Sequence, residues 1–327
     1  MIFIFGGSGF IGTRVALRFN QSEIPFQIID KAPSGFFPDK FLRADIRYPI
    51  TISFPEKVNA LINLAAEHKD NVFPTSLYDE VNVKGAKNVC ELARAKNINT
   101  IIFTSSVAIY GFAPIGTNES GAISPFNDYG RTKWEAEQVY KKWQSEDPQG
   151  RTLVIIRPTV VFGERNRGNV FNFLRQIAIS KFVMVGDGLN RKSMAYVENV
   201  AAFLQYSLNL KPGINIYNYV DKPDFTMNEL VALVNKLLGR STEIKLRLPS
   251  FVGLLIGSIF DMVAKITGKK FPISAIRVKK FCANSVYESA INETDFIPPV
   301  SLMEAIERTV HFEFIETNKD DRLFYSE

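Results

Sequence analysis

A tyrosine and a lysine that could move a proton, Tyr129 and Lys133, lie four residues apart in the segment "DYGRTKWEAEQVYKKW". The segment reads as a helix that begins near Asp128, and residues four apart share one face of a helix. A free tyrosine has a pKa of about 10, so it is a poor base at neutral pH unless a nearby cation stabilises the phenolate. Lys133 can supply that cation. The pair therefore predicts a tyrosine acid/base, although the same spacing also arises by chance on amphipathic helices.

Hydroxyl groups precede this helix at the end of a predicted strand. The segment "NTIIFTSSVAIYG" ends an apolar run with Ser105 and Ser106, and Ser106 lies 23 residues before Tyr129. Side chains at the carboxyl end of a parallel strand face the usual ligand site of an α/β sheet. The serine pair therefore strengthens the hypothesis that Tyr129 and Lys133 belong to an active site.

A glycine-rich turn separates the first predicted strand from the first predicted helix in "MIFIFGGSGFIGTRVALRF". Its glycines are Gly6, Gly7, Gly9 and Gly12. Without a Cβ, they permit a tight turn and let backbone N–H groups approach a pyrophosphate. Asp30 ends the next strand-like run, "FQIID", where a carboxylate can accept both hydroxyls of an adenosine ribose and repel a ribose phosphate. The motif predicts NAD rather than NADP, although Lys31 weakens the exclusion of NADP.

Short β-branched runs alternate with helical stretches through the first half of the chain, up to "TLVIIRP" at 152–158. Such alternation, with almost continuously apolar strands, predicts an α/β fold: a Rossmann-type, doubly wound parallel sheet covered by helices on both faces. The predicted NAD-binding domain spans 1–165. A smaller, mixed substrate-binding lobe is predicted for 166–315, with chain crossings allowed and "NIYNYV" among its short strands. Residues 316–327 are predicted to be a polar tail.

The composition sets limits on the class of protein. Among 327 residues, 39 Lys and Arg against 34 Asp and Glu give a formal net charge of +5, without a dominant basic block. We therefore do not expect nucleic-acid binding. Cys90 and Cys282 lack the spacing of a metal site, so no metal is expected. The chain starts directly with the strand-like "MIFIF", so no leader peptide is expected and a cytoplasmic location is predicted.

One apolar segment, "LPSFVGLLIGSIFDMVAKITG" at 248–268, allows two interpretations. Its uncharged run from Leu248 to Phe260 is shorter than the about 20 apolar residues that span a bilayer. The first interpretation is a buried helix of the smaller lobe. The second is an interfacial helix that rests on a membrane or a partner protein, in which case residues 248–260 would make the membrane contact.

Together, these motifs resemble the extended short-chain dehydrogenase/reductases of the NAD-dependent epimerase/dehydratase family, whose members mostly act on nucleotide sugars. The resemblance covers nearly the whole chain. Its most specific segments are "GGSGFIG", "ADI", "NLAA", "VNVKGAKNV", "TSSVAIYG", "YGRTK", "RPTVVFG" and "VGDGLNRKSMAYVENVA". The resemblance implies NAD as the cofactor, a nucleotide-sugar substrate, and a homodimer formed through helices within 81–96 and 129–143.

The resemblance also implies roles for individual residues. Tyr129 would be the acid/base, Lys133 its field source and a donor to the nicotinamide ribose, and Ser106 the catalytic hydroxyl. The other residues implied to line the cofactor are Gly6, Gly9, Phe10, Ile11, Gly12, Asp30, Lys31, Asp45, Ile46, Leu64, Ala65, Ala66, Asn82, Pro158 and Val161. The last three would lie on the nicotinamide side.

Substrate contacts are implied at Ser106, Ala108 and Asn169, and at the basic pair Arg191 and Lys192. The basic pair occupies the region where relatives grip a nucleotide diphosphate. It departs from the common Arg-Asp order, so the residue that contacts phosphate stays open between the two.

Two apolar residues narrow the reaction. Relatives that eliminate water place an Asp-Glu pair directly after the catalytic Thr, where this chain has Val107 and Ala108. Elimination needs a second acid and base, so the resemblance favours hydride removal and return at one sugar carbon. The predicted activity is a nucleotide-sugar epimerase acting at carbon 4 of a UDP-hexose. The alternatives are a net NAD(P)-dependent oxidoreductase of a nucleotide sugar or of a hydrophobic, sterol-like alcohol, and a non-catalytic cofactor-binding member of the fold.

Overall fold

The computed structural model describes residues 1–52, 57–69, 72–244, 246–268 and 274–317. Within these ranges the strands are β1 (Ile2–Phe5), β2 (Phe26–Asp30), β3 (Phe41–Arg43), β4 (Ala60–Asn63), β5 (Thr100–Thr104), β6 (Thr152–Pro158), β7 (Val160–Phe162), β8 (Met184–Val185), β9 (Arg191–Tyr196), β10 (Gly213–Tyr219), β11 (Asp221–Thr226) and β12 (Arg247–Leu248). The helices are α1 (Phe10–Gln21), α2 (Ser76–Tyr78), α3 (Gly85–Ala95), α4 (Asp128–Gln144), α5 (Asn169–Ala178), α6 (Val197–Tyr206), α7 (Met227–Leu237), α8 (Ser250–Thr267), α9 (Ala275–Cys282) and α10 (Leu302–Phe314). A π-helical turn, Asp79–Lys84, joins α2 to α3, and a 3-10 turn, Val107–Tyr110, follows β5.

The central sheet has seven parallel strands in the order β10-β6-β5-β4-β1-β2-β3. Alternate residues of a strand face opposite sides of a sheet. In β1, Ile2 and Ile4 belong to the apolar cluster that includes α1 and α6, while Phe3 and Phe5 belong to the cluster that includes α3 and α4. All four side chains are buried. Both faces of the sheet are therefore covered, which confirms the predicted Rossmann-type, doubly wound fold.

The strand predicted from "NIYNYV" belongs to the central sheet and not to the smaller lobe. Strand β10 pairs in parallel with β6 from Gly213 beside Thr152 to Tyr219 beside Pro158. The preceding helix, α6, packs in the same apolar cluster as α1. Without β10, the apolar strand β6 would form an open edge of the sheet. The chain therefore leaves the sheet after β6 and returns to it with α6 and β10.

The smaller lobe is built from β7 and from the other elements after residue 165. A three-stranded sheet, β11-β9-β7, and a two-stranded sheet, β12-β8, form its strands. Helices α5, α7 and α10 pack on the three-stranded sheet around a shared apolar core that includes Leu174, Met194, Val231 and Ile306. This core continues to Phe10 and Ile11 at the start of α1, so the lobe packs against the glycine turn.

Helix α8 is not a buried core helix, so the first interpretation of the apolar segment is wrong. Among its residues only Gly253 and Gly257 are buried, whereas Phe251 and Ile266 are 70% and 78% exposed. Within the part of the chain that the structure describes, α8 is the one helix long and apolar enough to cross a membrane. Most of the predicted tail, from residue 318 onward, lies outside the described residues.

Candidate active site

The glycine turn after β1 is shaped for close approach of a ligand. Gly6 has φ +72°, in the left-handed region, and a Cβ there would lie 2.6 Å from the backbone nitrogen of Ala65. A Cβ on Gly12 would lie 2.4 Å from the carbonyl oxygen of Gly6. A side chain at either position would therefore distort the turn. Helix α1 begins directly after Gly9, so its N-terminus, the positive end of the helix dipole, lies at the turn as a pyrophosphate requires.

Asp30 lies at the carboxyl end of β2, beside the glycine turn. Its carboxylate accepts hydrogen bonds from the backbone N–H groups of Ser8, at 3.1 Å, and Ala32, at 3.2 Å. The Ser8 hydroxyl donates to the Ala32 carbonyl at 2.8 Å, which ties the turn to the end of the strand. The carboxylate is thus held in one orientation next to the turn. These residues fit a dinucleotide whose adenosine ribose carries two free hydroxyls.

The residues implied to flank the adenine, and those implied to form the wall beneath the cofactor, lie on loops at the same edge of the sheet. Asp45 forms an ion pair with Arg47 at 2.7 Å. Ile46 is buried against Gly85, where a Cβ would lie 2.5 Å from the Ile46 side chain. The partly buried residues Leu64–Ala66 follow β4 and approach the glycine turn. The carboxyl ends of β1, β2 and β4 therefore gather most of the implied cofactor residues.

Asn82 has a positioning role that sequence reasoning missed. Its side-chain oxygen accepts from the Glu67 N–H at 2.9 Å. Its amide donates to the Glu67 carbonyl at 3.0 Å and to the Thr132 hydroxyl at 2.9 Å. The side chain therefore fastens the loop after β4 to α4, and its polar groups are engaged within the protein. An asparagine inside a helical segment was the available signal, because Asn is a poor helix former.

The carboxyl end of β5 brings the three predicted catalytic residues together. Ser106 begins the 3-10 turn, where its Oγ accepts from the Ala108 N–H at 3.1 Å. The Ser106 side chain is also hydrogen-bonded to Tyr129, which lies at the start of α4. One turn further along α4, the buried Nζ of Lys133 donates to the Thr104 carbonyl at 2.6 Å. The end of β5 therefore positions Ser106 and Lys133 close to Tyr129.

Burial is the largest influence on the pKa values of Tyr129 and Lys133. Burial raises the pKa of Tyr129, and the hydrogen bond from Ser106 opposes that rise. Burial lowers the pKa of Lys133 to about 7, and the Glu137 carboxylate opposes that fall. Lys133 is not among the protein groups that shift the pKa of Tyr129, and the acid/base role of the tyrosine beside a positive nicotinamide ring stays a prediction. A tyrosine that keeps its proton suits the half-reaction in which it acts as the acid.

A buried ion pair under α4 was not predicted from the sequence. Arg157, near the end of β6, donates to the Glu137 carboxylate at 2.9 and 2.7 Å, and their side chains are 2% and 0% exposed. Arg157 also donates to the Tyr110 hydroxyl at 2.6 Å, and that hydroxyl donates to Asn218 at 2.9 Å. Glu137 lies one turn beyond Lys133, so the network fastens the catalytic helix to β6 and β10. A charged residue in the apolar run "TLVIIRP" was its only sequence signal.

Arg191 and Lys192, at the start of β9, have different hydrogen-bond partners and different exposure. Lys192 donates to the carbonyls of Lys280, at 2.8 Å, and Ala283, at 2.6 Å, and so closes the C-terminus of α9. Burial lowers the pKa of Lys192 to about 8. Arg191 is exposed and donates one hydrogen bond to the Asp224 carbonyl at 2.9 Å. The lysine is therefore committed to the fold, and the arginine presents its guanidinium to solvent.

The remaining implied residues lie in β6, β7, the 3-10 turn after β5 and the start of α5. Pro158 and Val161 lie in β6 and β7, and Asn169 is exposed as the first residue of α5. Val107 and Ala108 lie in the 3-10 turn next to Ser106, so no carboxylate follows the serine. The arrangement can exchange a proton with a ligand hydroxyl beside a bound dinucleotide, without a second acid or base at this position.

Comparisons with known proteins agree with this geometry. The model of the NAD dependent epimerase/dehydratase family matches residues 2–218. The N-acetyl-alpha-D-glucosaminyl-diphospho-ditrans,octacis-undecaprenol 4-epimerase of Escherichia coli O157:H7 is 44% identical, over 100% of this chain and 99% of the relative. The decarboxylating sterol-4-alpha-carboxylate 3-dehydrogenase of Saccharomyces cerevisiae is 26% identical, over 94% and 96%. In three dimensions, UDP-glucuronic acid 4-epimerase from Bacillus cereus in complex with NAD is similar with a TM-score of 0.74, at 16% identity, covering 95% of this chain and 97% of the other.

The family follows from the extent of these matches. The family model covers more than half of the chain, and the Escherichia coli relative matches it from end to end. The glycine turn, the fixed carboxylate of Asp30 and the serine, tyrosine and lysine are the parts that such an enzyme needs to use NAD. The chain belongs to the NAD-dependent epimerase/dehydratase family and is an NAD-dependent epimerase.

Proposed function

We propose that this protein interconverts the carbon-4 epimers of an N-acetylhexosamine that is linked through a diphosphate to a polyprenol. The observation that carries the proposal is the end-to-end similarity, at 44% identity, to an epimerase named for an N-acetylglucosaminyl-diphospho-undecaprenol substrate. The exposed apolar helix α8 agrees with a lipid-linked substrate, because such a substrate is held at a membrane.

The catalytic residues suit removal and return of a hydride at one sugar carbon. NAD, when bound, would accept that hydride and give it back to the opposite face of the sugar. Tyr129, in its phenolate form, would take the proton of the carbon-4 hydroxyl and return it after the sugar has turned over. Ser106, hydrogen-bonded to Tyr129, would donate to the same sugar oxygen as it becomes a ketone. Lys133, held by the Thr104 carbonyl, would place a positive charge beside the nicotinamide ribose.

The diphosphate group needs a cation at the rim of the cleft. Lys192 already donates to two carbonyls, whereas Arg191 is exposed next to it. A planar guanidinium also matches the oxygens of a phosphate better than a point charge does. We therefore assign phosphate contact to Arg191, with Asn169 at the exposed start of α5 as a second polar contact.

A UDP-linked hexose is the second candidate substrate. It shares the sugar and the diphosphate, and UDP-sugar epimerases have the same overall fold as this chain. The carriers differ in polarity, so side chains outside the catalytic set must distinguish them. Two finer assignments accompany either substrate: a location on the cytoplasmic side of the membrane, and a homodimer through α3 and α4, which sedimentation of the purified protein would test.

The deciding experiment supplies the purified protein and NAD with three substrates in parallel. They are N-acetylglucosaminyl-diphospho-undecaprenol in detergent, UDP-N-acetylglucosamine and UDP-glucose. We expect the lipid-linked sugar to yield N-acetylgalactosamine after mild acid release, and Tyr129→Phe to abolish the conversion. Conversion of the UDP sugars alone would show that the proposed carrier is wrong. Accumulation of NADH in proportion to substrate, with no epimer formed, would show a net oxidoreductase.

A further inference from the structure

Helix α8 presents one continuous apolar face to solvent. Phe251, Leu255, Ile259, Met262 and Ile266 recur at intervals of four, four, three and four residues, which places them along a single stripe of a helix. They are 70%, 60%, 52%, 64% and 78% exposed. We call these five residues the α8 stripe. An exposed apolar surface of this extent usually marks a binding site for a protein or a membrane.

The opposite face of α8 is locked onto α9. A Cβ on Gly257 would lie 2.7 Å from the backbone nitrogen of Ala275, so the two helices meet at backbone distance. A Cβ on Gly253 would lie 2.6 Å from the side chain of Val185 in β8, and the Asp261 carboxylate accepts from the Ala275 N–H at 3.0 Å. A carboxylate at the N-terminus of α9 also interacts favourably with the dipole of that helix. The contacts fix the rotation of α8, so the stripe cannot turn inward.

The attachment to α9 decides between a helix that crosses a bilayer and one that lies on it. At about 1.5 Å per residue, the 18 residues of α8 are about as long as the bilayer core is thick. However, α9 runs along the glycine face and carries exposed cations, Arg277 and Lys279. These charges cannot follow α8 into hydrocarbon without a large penalty. The geometry therefore fits a helix that lies in the plane of the interface, with its stripe among the acyl chains.

The exposed charges of α8 and α9 are positive. Lys265, in the last turn of α8, is exposed, as are Arg277 and Lys279 of α9. Within the described residues of α8 and α9, Asp261 is the one acidic side chain, and it is engaged at the start of α9. An apolar stripe on a pair of helices whose exposed charges are positive is complementary to a bilayer that contains anionic lipids.

Helix α9 also connects α8 to the loops that carry the candidate active site. Lys279 and Lys280 place their Nζ atoms 4.9 and 4.7 Å from the rings of Phe112 and Phe126, respectively. The two rings stack at 5.0 Å and are 45% and 41% exposed. Phe112 follows the 3-10 turn of the catalytic serine, and Phe126 lies three residues before Tyr129. The helix that packs on α8 therefore also contacts two aromatic rings next to the loops of the candidate active site.

We propose that the α8 stripe docks the protein flat on the surface of an anionic phospholipid bilayer, so that the active-site mouth faces lipid-linked substrate in that bilayer. The inference rests on the proposed function for the reason to dock, and it adds the docking surface. The same surface could otherwise pair with a second copy of the chain, which the experiment below distinguishes.

The test is flotation of the whole protein with vesicles of phosphatidylcholine, with and without phosphatidylglycerol. We expect the protein to float with the anionic vesicles. Leu255→Asp combined with Ile259→Asp should reduce vesicle binding by at least about tenfold, because both carboxylates would have to enter an anionic apolar interface. Ile297→Asp is the matched control, since Ile297 is 83% exposed and lies outside α8 and α9, and it should float like the parent.

Folding and function are read separately. Circular dichroism, and turnover of a water-soluble short-prenyl diphospho-sugar, should be equal for the parent and the double variant, whereas turnover of vesicle-bound substrate should fall for the double variant alone. Equal flotation of both proteins, or no flotation of the parent, would overturn the docking proposal. A parent dimer that the double variant converts to monomers without vesicles would also overturn it, in favour of a second copy. Flotation without epimerisation of any prenyl diphospho-sugar would instead overturn the proposed function and leave the docking surface standing.

Discussion

The buried pair of Arg157 and Glu137 provides the sharpest test of how the fold supports the catalytic helix. Arg157→Met keeps the length of the side chain but removes both hydrogen bonds to Glu137 and those to the Tyr110 hydroxyl and the Glu119 carbonyl. It leaves a carboxylate that is 0% exposed without its main partner. Removing one partner of a buried ion pair costs about 3–5 kcal/mol. Lys141, 3.9 Å from Glu137, compensates in part, so we expect a loss near 3 kcal/mol.

The double variant Arg157→Met with Glu137→Leu distinguishes a broken ion pair from a general packing defect. Replacing both charges by apolar groups is often nearly neutral, so the remaining loss comes from the Tyr110 hydroxyl and the Glu119 carbonyl, at about 1–2 kcal/mol in total. The double variant should therefore be more stable than Arg157→Met alone. The matched control is Arg131→Met, because Arg131 lies on α4, as Glu137 does, and contacts three carboxylates but is 38% exposed. Its loss should stay below about 1 kcal/mol.

Urea unfolding is measured for five proteins: the parent, Arg157→Met, Glu137→Leu, Arg131→Met and the double variant. It is monitored by far-UV circular dichroism and by the fluorescence of the buried Trp143. Turnover should fall with Arg157→Met beyond the effect of stability, because the network fastens the helix that carries Tyr129 and Lys133. The reasoning is refuted if Arg157→Met loses less than Arg131→Met, or if the double variant loses as much as the sum of its two single changes.

Three further predictions concern the catalytic and cofactor residues. Lys133 has a pKa of about 7 in the folded protein, below its unfolded value, so the unfolded chain binds more protons between about pH 7 and 10. The free energy of unfolding should therefore rise with pH across that window, by up to about 1 kcal/mol per pH unit. Urea unfolding at a series of pH values should show that the rise disappears in Lys133→Met. It should persist in the control Lys142→Met, where the lysine is exposed. Tyr129→Phe should lower kcat by at least about a hundredfold while NAD affinity by calorimetry stays within about threefold, and a retained kcat would contradict the acid/base role. Asp30→Ala should weaken NAD binding and reduce the ratio of the affinity for NAD to the affinity for NADP. An unchanged ratio would rule out the contact between Asp30 and the adenosine ribose.

The local motifs carried most of the catalytic prediction. A glycine turn, an acidic residue at the end of the second strand and a tyrosine four residues before a lysine are short-range patterns, and each is interpretable without knowing what packs on it. The parallel sheet was likewise predictable, because strands buried on both faces must be apolar throughout, as "IFIF" and "TIIFT" are. The absence of acidic residues at Val107 and Ala108 is also a property of the sequence alone.

Side-chain partners could be assigned only from the tertiary structure. The sequence leaves the phosphate contact open between Arg191 and Lys192. In the structure, the carbonyls at the end of α9, some ninety positions along the chain, engage the lysine. The direction of the Tyr129 pKa shift is likewise set by burial, which the hydrogen bond from Ser106 only opposes.

The sequence by itself determined the fold class and the cofactor motif and predicted the catalytic set, because turns, strand composition and helical spacing are set by neighbours along the chain. Tertiary structure decided that β10 completes the central sheet, that Glu137 meets Arg157, and that α8 is exposed. The apolar run of α8 has the hydropathy of a core helix, and hydropathy does not specify which surface covers it. Only the glycine face, packed against α9 at backbone distance, fixes the α8 stripe toward solvent.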